Sequence, residues 1–160
     1  MRAVVLIGMM ILGFGFAGQP SRATDSPKDP CSLLSAAQVS STLGEKYDAP
    51  QKSVAPRPFA NTAPGTDCLF KTTNGQDQVL FRLYIDDSAA QATELHMRLK
   101  MFFGRDSTPA NVGDEAYIDG KSAIHVRKGN ARYFLTISHG DTPSGRKQIR
   151  ALAALIAEKL

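Results

Sequence analysis

Residues 77–85 read Asp-Gln-Val-Leu-Phe-Arg-Leu-Tyr-Ile, and this stretch decides what kind of fold the chain adopts. Its side chains alternate between two faces of an extended strand, and from Val79 onward one face is entirely apolar. The apolar face carries Val79, Phe81, Leu83 and Ile85, and the other face carries Leu80, Arg82 and Tyr84. The dipeptide Asn74-Gly75, just before the stretch, is a strong signal for a tight turn between antiparallel strands. We therefore predict a β-hairpin with one face in the core.

Further helix and strand signals lie on both sides of this hairpin. Ser35 and Gln38 form a capping box before a first helix, and Pro143 begins the last one. The predicted helices cover 36–43, the segment between Ser88 and Gly104, and the segment from 143 to the end of the chain. The predicted strands cover 67–73, 77–85, 115–118, 122–127 and 132–139. The order α-β-β-α-β-β-β-α predicts an α+β domain whose mostly antiparallel five-stranded sheet is covered by helices.

The first 23 residues differ from the rest of the chain. Arg2 is followed by fourteen residues without a polar side chain, 3–16, and then by a small and polar stretch. This layout is typical of a secretory signal peptide, and its apolar core is shorter than the roughly 20 residues that cross a bilayer. We expect cleavage after Ala23, with a cut after Ala17 as the alternative, and no transmembrane anchor in the mature protein.

The basic charge of the whole chain is mostly a property of this leader. The chain has 19 Lys and Arg against 15 Asp and Glu, and two of the arginines lie in 1–23. The remaining 17 basic and 15 acidic residues describe a nearly neutral domain, which does not favour binding to nucleic acid. Its length fits a single domain over 31–160, preceded by a flexible spacer over 24–30.

Cys31 and Cys68 are the only cysteines in the chain, and both lie beyond the leader. Such a pair in an exported protein normally forms a disulfide, which favours a periplasmic or secreted location. The loop that it would close contains a segment with four prolines, 48–65. Loops of this length in a compact domain are usually mobile or functional.

Four short motifs and a Leu- and Ala-rich C-terminal helix follow one another in a characteristic order. The motifs are Asp29-Pro-Cys-Ser-Leu-Leu-Ser35, Asp67-Cys-Leu-Phe70, Val112-Gly-Asp-Glu-Ala-Tyr117 and Val126-Arg-Lys-Gly129. Over about 29–160 the chain resembles small exported bacterial proteins of unknown function, many of which are lipoproteins. The resemblance implies a PsbP-like α-β-α sandwich and no catalytic residues. This chain lacks the lipidation cysteine of the lipoprotein members, so a lipid anchor is not expected.

Motifs for catalysis, metals and cofactors are missing from the sequence. It contains no Gly-x-Ser-x-Gly elbow, no phosphate-binding glycine loop and no His-Glu-x-x-His. His96, His125 and His139 are not spaced as metal ligands, and we expect His96 to be solvated. Asp114 and Glu115 are adjacent carboxylates, which point to opposite faces of an extended chain and are more typical of a turn. We therefore expect no catalytic residue, no metal and no cofactor.

The outward face of the predicted sheet is the candidate binding surface. Its polar side chains are Arg82, Tyr84, His125, Arg127 and Arg132. Guanidinium groups brought together in this way could hold an anion or an acidic partner through charge-assisted hydrogen bonds. The alternative is an ordinary solvated sheet face with cross-strand pairs, or a face partly covered by the first helix.

These observations leave hypotheses from different functional classes. The first is an exported, non-enzymatic module that binds an envelope protein or a small ligand through the Pro-rich loop and this sheet face. The second is a small periplasmic enzyme, hydrolase-like, with His125 or His139 as the base. We expect the enzyme to show a deep pocket where a histidine meets a carboxylate or hydroxyl, and the binding module a shallow face. The third is a purely structural accessory of an envelope assembly.

Overall fold

The computed structural model describes residues 29–120 and 122–160 and has one seven-stranded sheet at its centre. All neighbouring strands are antiparallel. The strands are β1 Gln51–Ala55, β2 Gly65–Lys71, β3 Gln78–Ile85, β4 Thr108–Pro109, β5 Glu115–Ile118, β6 Ala123–Lys128 and β7 Ala131–Ile137. They lie in the order β1-β2-β3-β7-β6-β5-β4, so the N-terminal and C-terminal halves of the chain meet where β3 pairs with β7.

Helices cover both faces of this sheet. They are α1 Pro30–Leu33, α2 Ala36–Leu43, α3 Ala89–Phe103 and α4 Pro143–Ala157. α4 packs on one face, where the Tyr133 hydroxyl donates a hydrogen bond to the Ala153 carbonyl at 2.7 Å. α1 and α2 lie on the same face as α4, whereas α3 packs against β6 and β7 on the other face. In the part of the chain that the structure describes, no helix is long and apolar enough to span a bilayer.

The face toward α1, α2 and α4 forms the hydrophobic core. The alternation predicted for 77–85 is confirmed, because Val79, Phe81 and Leu83 are buried in this core. They share this core with Leu135 of the neighbouring strand β7 and with Val126 of β6, the next strand along, which are also fully buried. Burying an apolar side chain of this size contributes about 1.5–3 kcal/mol, so this face is the main source of stability.

The predicted first helix has the ends that the sequence indicates. The Ser35 hydroxyl accepts a hydrogen bond from the Gln38 N–H at 3.2 Å, and the Gln38 side chain accepts one from the Ser35 N–H at 3.1 Å. This reciprocal pair is the predicted capping box. The helix ends at Gly44, whose φ of 84° is in the left-handed region that favours glycine.

The predicted five-stranded sheet and the predicted order of elements are wrong, although the chain is an α+β protein. The sheet has two more strands, β1 and β4, and these are its two edges. An edge strand pairs on one side only, so it does not need the alternating buried pattern by which strands are recognised. Four of the five residues of β1 are exposed, and β4 is two residues long and ends in Pro109.

Two other boundaries also differ from the predicted ones. α1 begins at Pro30, inside the predicted spacer 24–30, and its single turn is too short to show a helical period. β1 lies within the predicted Pro-rich loop 48–65, so the connection between β1 and β2 is limited to 56–64. The predicted leader, 1–23, and residues 24–28 of the spacer lie outside the described residues.

A disulfide joins Cys31 and Cys68, as predicted, with the two Cα atoms 5.5 Å apart. Cys31 belongs to α1, and Cys68 is fully buried in β2 on the core face. The same helix is held from the C-terminal end of the chain, because the Lys159 ammonium donates to the Leu33 carbonyl at 2.7 Å. α1 is therefore fixed to the sheet although it is only four residues long.

Reduction of this disulfide is expected to lower the free energy of unfolding. The two cysteines are 37 positions apart, and an unlinked chain of that length regains loop-closure entropy worth about 4 kcal/mol in the unfolded state. Urea unfolding followed by circular dichroism, with and without reductant, measures the difference. The double variant Cys31→Ala/Cys68→Ala is the control, because reductant should not change its midpoint. Equal stability of the oxidised and reduced protein would contradict the expectation.

Candidate functional site

A cavity of about 450 Å³ lies between the polar face of the sheet, α3 and the start of the 56–64 connection. Its floor comes from the central strands β3, β6 and β7 and is formed by Arg82, Tyr84, His125, Arg132, Phe134 and Thr136. Its walls are formed by Pro56, Arg57 and Pro58 of the connection and by His96, Leu99 and Phe103 of α3. Ligand sites in proteins typically enclose about 300–1,000 Å³, so this cavity has room for a small molecule.

The register of three strands places the side chains of the floor. Arg82 on β3 lies opposite Phe134 on β7, and Tyr84 lies opposite Arg132. His125 on β6 lies opposite Phe134 from the other side. Residues that are directly opposite in neighbouring strands point to the same face of a sheet. The five side chains therefore form one continuous surface beneath α3.

Two bidentate ion pairs hold the arginines of the floor. Arg82 donates to both carboxylate oxygens of Asp67 at 2.6 and 2.7 Å, and this contact raises the pKa of Arg82. Arg132 donates to both oxygens of Asp86 at 2.5 and 2.9 Å. Arg132 is only 2% exposed, so the carboxylate of Asp86 replaces water as the partner of its charge. Bidentate contacts fix the plane of a guanidinium, and both groups are therefore rigid.

Tyr84 connects the floor of the cavity to its wall. Its hydroxyl donates a hydrogen bond to the Pro56 carbonyl at 3.1 Å. Its ring lies against β2 at Gly65, where an added Cβ atom would be 2.6 Å from the ring. The glycine is therefore needed for Tyr84 to pack closely against β2 and to reach the 56–64 connection.

His125 contacts a carboxylate at the edge of the cavity. Its Nε2 lies 3.2 Å from one oxygen of Asp119, and the other oxygen of Asp119 accepts the Ala123 N–H at 2.9 Å. The His125 side chain is 13% exposed, and its ring is surrounded by other rings. Tyr117 on β5 is stacked on it with centroids 4.7 Å apart, and Phe103 of α3 is nearly parallel to it at 6.3 Å. The carboxylate and the rings together fix the orientation of the imidazole.

Three buried polar atoms next to the cavity have no hydrogen-bond partner in the described part of the chain. They are Nε2 of His96, the hydroxyl of Tyr117 and Nη1 of Arg132. Burial lowers the pKa of His96 to about 4 and raises the pKa of Tyr117. Unsatisfied buried groups are rare in proteins, and they concentrate near functional sites or where water or a ligand binds.

Four of the five predicted site residues line this cavity, namely Arg82, Tyr84, His125 and Arg132. Arg127 lies on the same face but donates to Asp114 at 3.1 Å and is not in the lining. Asp114 also accepts the Gly129 N–H at 2.7 Å, which lowers its pKa. Asp114 thus serves the turn between β6 and β7. The helix that covers the polar face is α3 and not the first predicted helix.

The partners of these residues were not predicted from the sequence. Asp67 and Asp86 belong to the site as counter-ions of Arg82 and Arg132, and Asp86 lies just before the predicted helix between Ser88 and Gly104. The expectation that His96 is solvated is wrong, because it is 1% exposed and faces the sheet. The spacing of His96 indicates its burial, since Ala92 and Leu99 lie four residues before and three residues after it on the same helix face.

The remaining candidate groups do not form a second site of comparable size. His139 lies 3.3 Å from Asp77 beside a cavity of about 60 Å³, and its side chain is 79% exposed. Within 29–120 and 122–160, no cluster of three or more His, Cys, Asp or Glu side chains is arranged to hold a metal ion. The 450 Å³ cavity is therefore the site to which we assign the function.

No family model matches the chain, and no curated protein matches it. The resemblance to small exported bacterial proteins therefore stays a prediction. The geometry and chemistry of the cavity itself are the basis on which a function can be assigned.

The Asp86→Asn variant is expected to lose about 3–5 kcal/mol of stability, because it leaves the buried guanidinium of Arg132 without a counter-charge. Asp67→Asn is a matched control, since Asp67 makes the same bidentate contact to Arg82. The Arg82 side chain is 19% exposed against 2% for Arg132, so water can compensate part of the loss. We expect a clearly smaller effect for Asp67→Asn in urea unfolding. Equal losses in the two variants would show that burial does not set the strength of these pairs.

Stability is expected to fall between pH 6.5 and pH 4 because of His96. An unfolded histidine takes up a proton near pH 6.5, whereas His96 in the folded protein does so only near pH 4. Protons therefore favour the unfolded state in this window, and the cost at pH 4.5 is about 2–3 kcal/mol.

Urea unfolding of the wild type and of His96→Leu at pH 7.5 and pH 4.5 measures this cost. The variant has no imidazole at this position, so its stability should fall by about 2–3 kcal/mol less than that of the wild type. The other titrating groups are common to both proteins and cancel in the comparison. Equal losses on acidification would show that His96 is not responsible.

Proposed function

We propose that the protein is an exported, non-enzymatic binding module and that its ligand site is the 450 Å³ cavity beneath α3. The observation that carries the proposal is the combination of apolar walls with polar groups that are already fixed in place. Leu99, Phe103 and Pro58 supply apolar surface, while Arg82 and Arg132 are held by bidentate carboxylates. A site that is ordered before binding loses little conformational entropy when a ligand enters.

Non-catalytic binding fits the state of the charged groups in this cavity. Both arginines of the floor are paired with carboxylates of the protein itself, so their charges are neutralised before any substrate arrives. The hydroxyl of Tyr84 in the lining is also engaged, since it donates to the Pro56 carbonyl. These groups support the shape of the cavity and hold no reacting atom.

The disulfide supports the exported part of the proposal. Disulfides persist in the periplasm or outside the cell, and a fully buried Cys68 bonded to Cys31 fits a protein that folds there. The proposed leader over 1–23 would deliver the chain to that compartment. An envelope protein as partner, or a structural role in an envelope assembly, fits the same location and would use the surface around the cavity.

The contact between His125 and Asp119 favours a second candidate function. A histidine within 3.2 Å of a carboxylate, in a cavity, is the geometry expected for a small hydrolase-like enzyme. His125 would be the base, and Asp119 would orient it. Such an enzyme should hydrolyse a chromogenic ester with a rate that falls at least about 100-fold in His125→Gln, which is the usual share of a general base. Equal rates in the two proteins would leave the binding module as the function.

Filling the cavity is expected to weaken ligand binding. Thr136→Leu adds apolar volume to the floor and leaves less room for a ligand. The neutral dye N-phenyl-1-naphthylamine should then bind at least about tenfold more weakly, which corresponds to a loss of about 1.4 kcal/mol in binding free energy. Dye fluorescence measures the affinity. Thr66→Leu is the matched control, because it makes the same change in β2 on the opposite face of the sheet.

The Thr66→Leu protein should bind the dye as the wild type does. Organic extracts of the purified proteins, analysed by mass spectrometry, should contain a small molecule with the wild type and Thr66→Leu but not with Thr136→Leu. If Thr136→Leu and Thr66→Leu bind the dye equally well, the cavity is not the site and the proposed function is wrong.

A further inference from the structure

We propose that the ligand of this cavity is a single-chain anionic amphiphile, whose alkyl chain lies in the cavity and whose anionic group is held at the mouth by Arg57. The inference rests on the proposed function and specifies the chemical class of the ligand. It is drawn from three features, namely an interior whose charges are already paired, an apolar rim, and one cation at the mouth that has no partner among the described residues.

The aromatic rings beneath α3 are stacked on one another. His125 lies between Tyr117 of β5 and Phe134 of β7 in the register of the sheet, and its ring is stacked with both, with centroids 4.7 and 5.8 Å apart. On the β3 side, the guanidinium carbon of Arg82 lies over the Phe134 ring, 5.1 Å from its centre. The ring faces are therefore covered by protein groups, and a ligand meets ring edges and aliphatic carbon. A flexible alkyl chain can follow such an uneven surface, because the hydrophobic effect is not directional.

The two arginines of the floor are already neutralised by carboxylates of the protein. Asp67 is the counter-ion of Arg82. Asp86 is the counter-ion of Arg132. Nη1 of Arg132 has no hydrogen-bond partner in the described part of the chain, but this atom is buried, so a ligand in the cavity does not contact it. An anionic group would find no counter-charge deep in the cavity, where an unpaired charge is costly, and the interior therefore favours the apolar part of a ligand.

The wall formed by α3 is apolar and continues from the cavity to the protein surface. Leu99 and Phe103 line the cavity, and Phe103 is 55% exposed, so its ring belongs to both the lining and the rim. Met101 and Phe102, in the same last turn of the helix, are also exposed. Grouped apolar side chains at a surface mark sites that bind an apolar partner. An alkyl chain that enters here stays in contact with apolar surface between the solvent and the interior.

Arg57 is the cation that remains available to an anionic head group. It lies in the 56–64 connection, lines the cavity and is exposed, which places it at the mouth. It makes no ion pair or hydrogen bond with residues 29–120 or 122–160 in the structure. The acidic member of the lining, Asp119, is turned toward His125 and the Ala123 N–H. A head group at Arg57 can keep contact with water while the chain is buried, so the desolvation cost of its charge is small.

Binding of alkyl probes to the purified protein tests the inference. One series varies the chain with hexanoate, octanoate and decanoate, and the other varies the head group with decanoate, decan-1-ol and decyltrimethylammonium. The affinity should rise about fourfold for each added methylene, which corresponds to burial of about 0.8 kcal/mol per methylene. Decanoate should bind about fivefold more tightly than decan-1-ol, as expected for a partly exposed charge pair, and the cation should bind more weakly than both. Titration calorimetry at concentrations below micelle formation measures these affinities.

Two variants assign these preferences to the proposed contacts. Arg57→Gln should abolish the preference for decanoate over decan-1-ol and leave binding of the alcohol unchanged. Arg146→Gln on α4, which packs on the other face of the sheet, is the control for loss of an arginine and should keep the preference. Leu99→Gln places a polar group on the cavity wall and should weaken binding of decanoate at least about fivefold. Met97→Gln is its control, because Met97 is exposed on the same helix and is not in the lining.

The outcomes separate the ligand class from the proposed function. If the affinity does not rise with chain length, or if Leu99→Gln binds decanoate as the wild type does, the chain does not lie in the cavity and the inference is wrong. If decan-1-ol or decyltrimethylammonium binds as tightly as decanoate, or if the preference survives in Arg57→Gln, Arg57 does not hold an anion and the inference is also wrong. If no alkyl probe binds while N-phenyl-1-naphthylamine does, the cavity takes another class of ligand and the proposed function stands. If neither the dye nor any probe binds the wild type, the inference and the proposed function fail together.

Discussion

The backbone pairing of β3 with β7 is the constraint on which the rest of the structure depends. It joins an N-terminal hairpin to a C-terminal meander, and it sets which side chains share a face across the middle of the sheet. Phe81 opposite Leu135 goes to the core, whereas Arg82 opposite Phe134 goes to the cavity. A shift of one residue would exchange the two faces, so the apolar core and the polar cavity are specified by the same register. Because such a shift would expose Phe81 to water, its energetic cost also keeps the side chains of the cavity on their own face of the sheet.

The polar face of the sheet can be covered by a helix because its charged side chains are paired with carboxylates from neighbouring elements. α3 covers the side of the sheet that carries Arg132 and His125, and a covered charge without a partner would be strongly destabilising. Asp86 comes at the end of β3, immediately before α3, and Asp67 comes from the adjacent strand β2. The carboxylates thus reach the arginines from neighbouring elements, and the apolar part of α3 is free to form the wall of the cavity.

Much of this arrangement follows from the sequence, and the part that does not has physical reasons. Alternation in 77–85 and turn signals such as Asn74-Gly75 predict the central strands and the two faces, because a buried face forces a period of two. The edge strands β1 and β4 are not predicted, since they pair on one side only and lack an alternating pattern of buried side chains. The pairing of Asp67 with Arg82 was within reach of the sequence, because a two-residue turn at Asn74-Gly75 sets the observed register, in which Lys71 lies opposite Gln78 and Asp67 lies opposite Arg82.

The site itself is predictable in composition but not in shape. The polar set of strands 77–85 and 122–127 predicts Arg82, Tyr84 and His125 on one surface, and these residues do meet there. That this surface is the floor of a cavity depends on how α3 crosses it and on the path of 56–64. Both are set by tertiary packing between segments far apart in the chain, for which a single sequence contains no local signal.

The covalent ring between Cys31 and Cys68 has a consequence for the order in which this protein reaches its native state. The ring spans 37 positions and encloses the whole 56–64 wall, whereas the pairing of β3 with β7 must bring together segments about fifty positions apart. Closing the shorter loop costs less chain entropy, and once oxidised it cannot reopen by thermal fluctuation. When the oxidised protein is unfolded and refolded, the half of the molecule that holds Arg57 is therefore already confined, and arrival of β7 completes a site whose entrance is tethered.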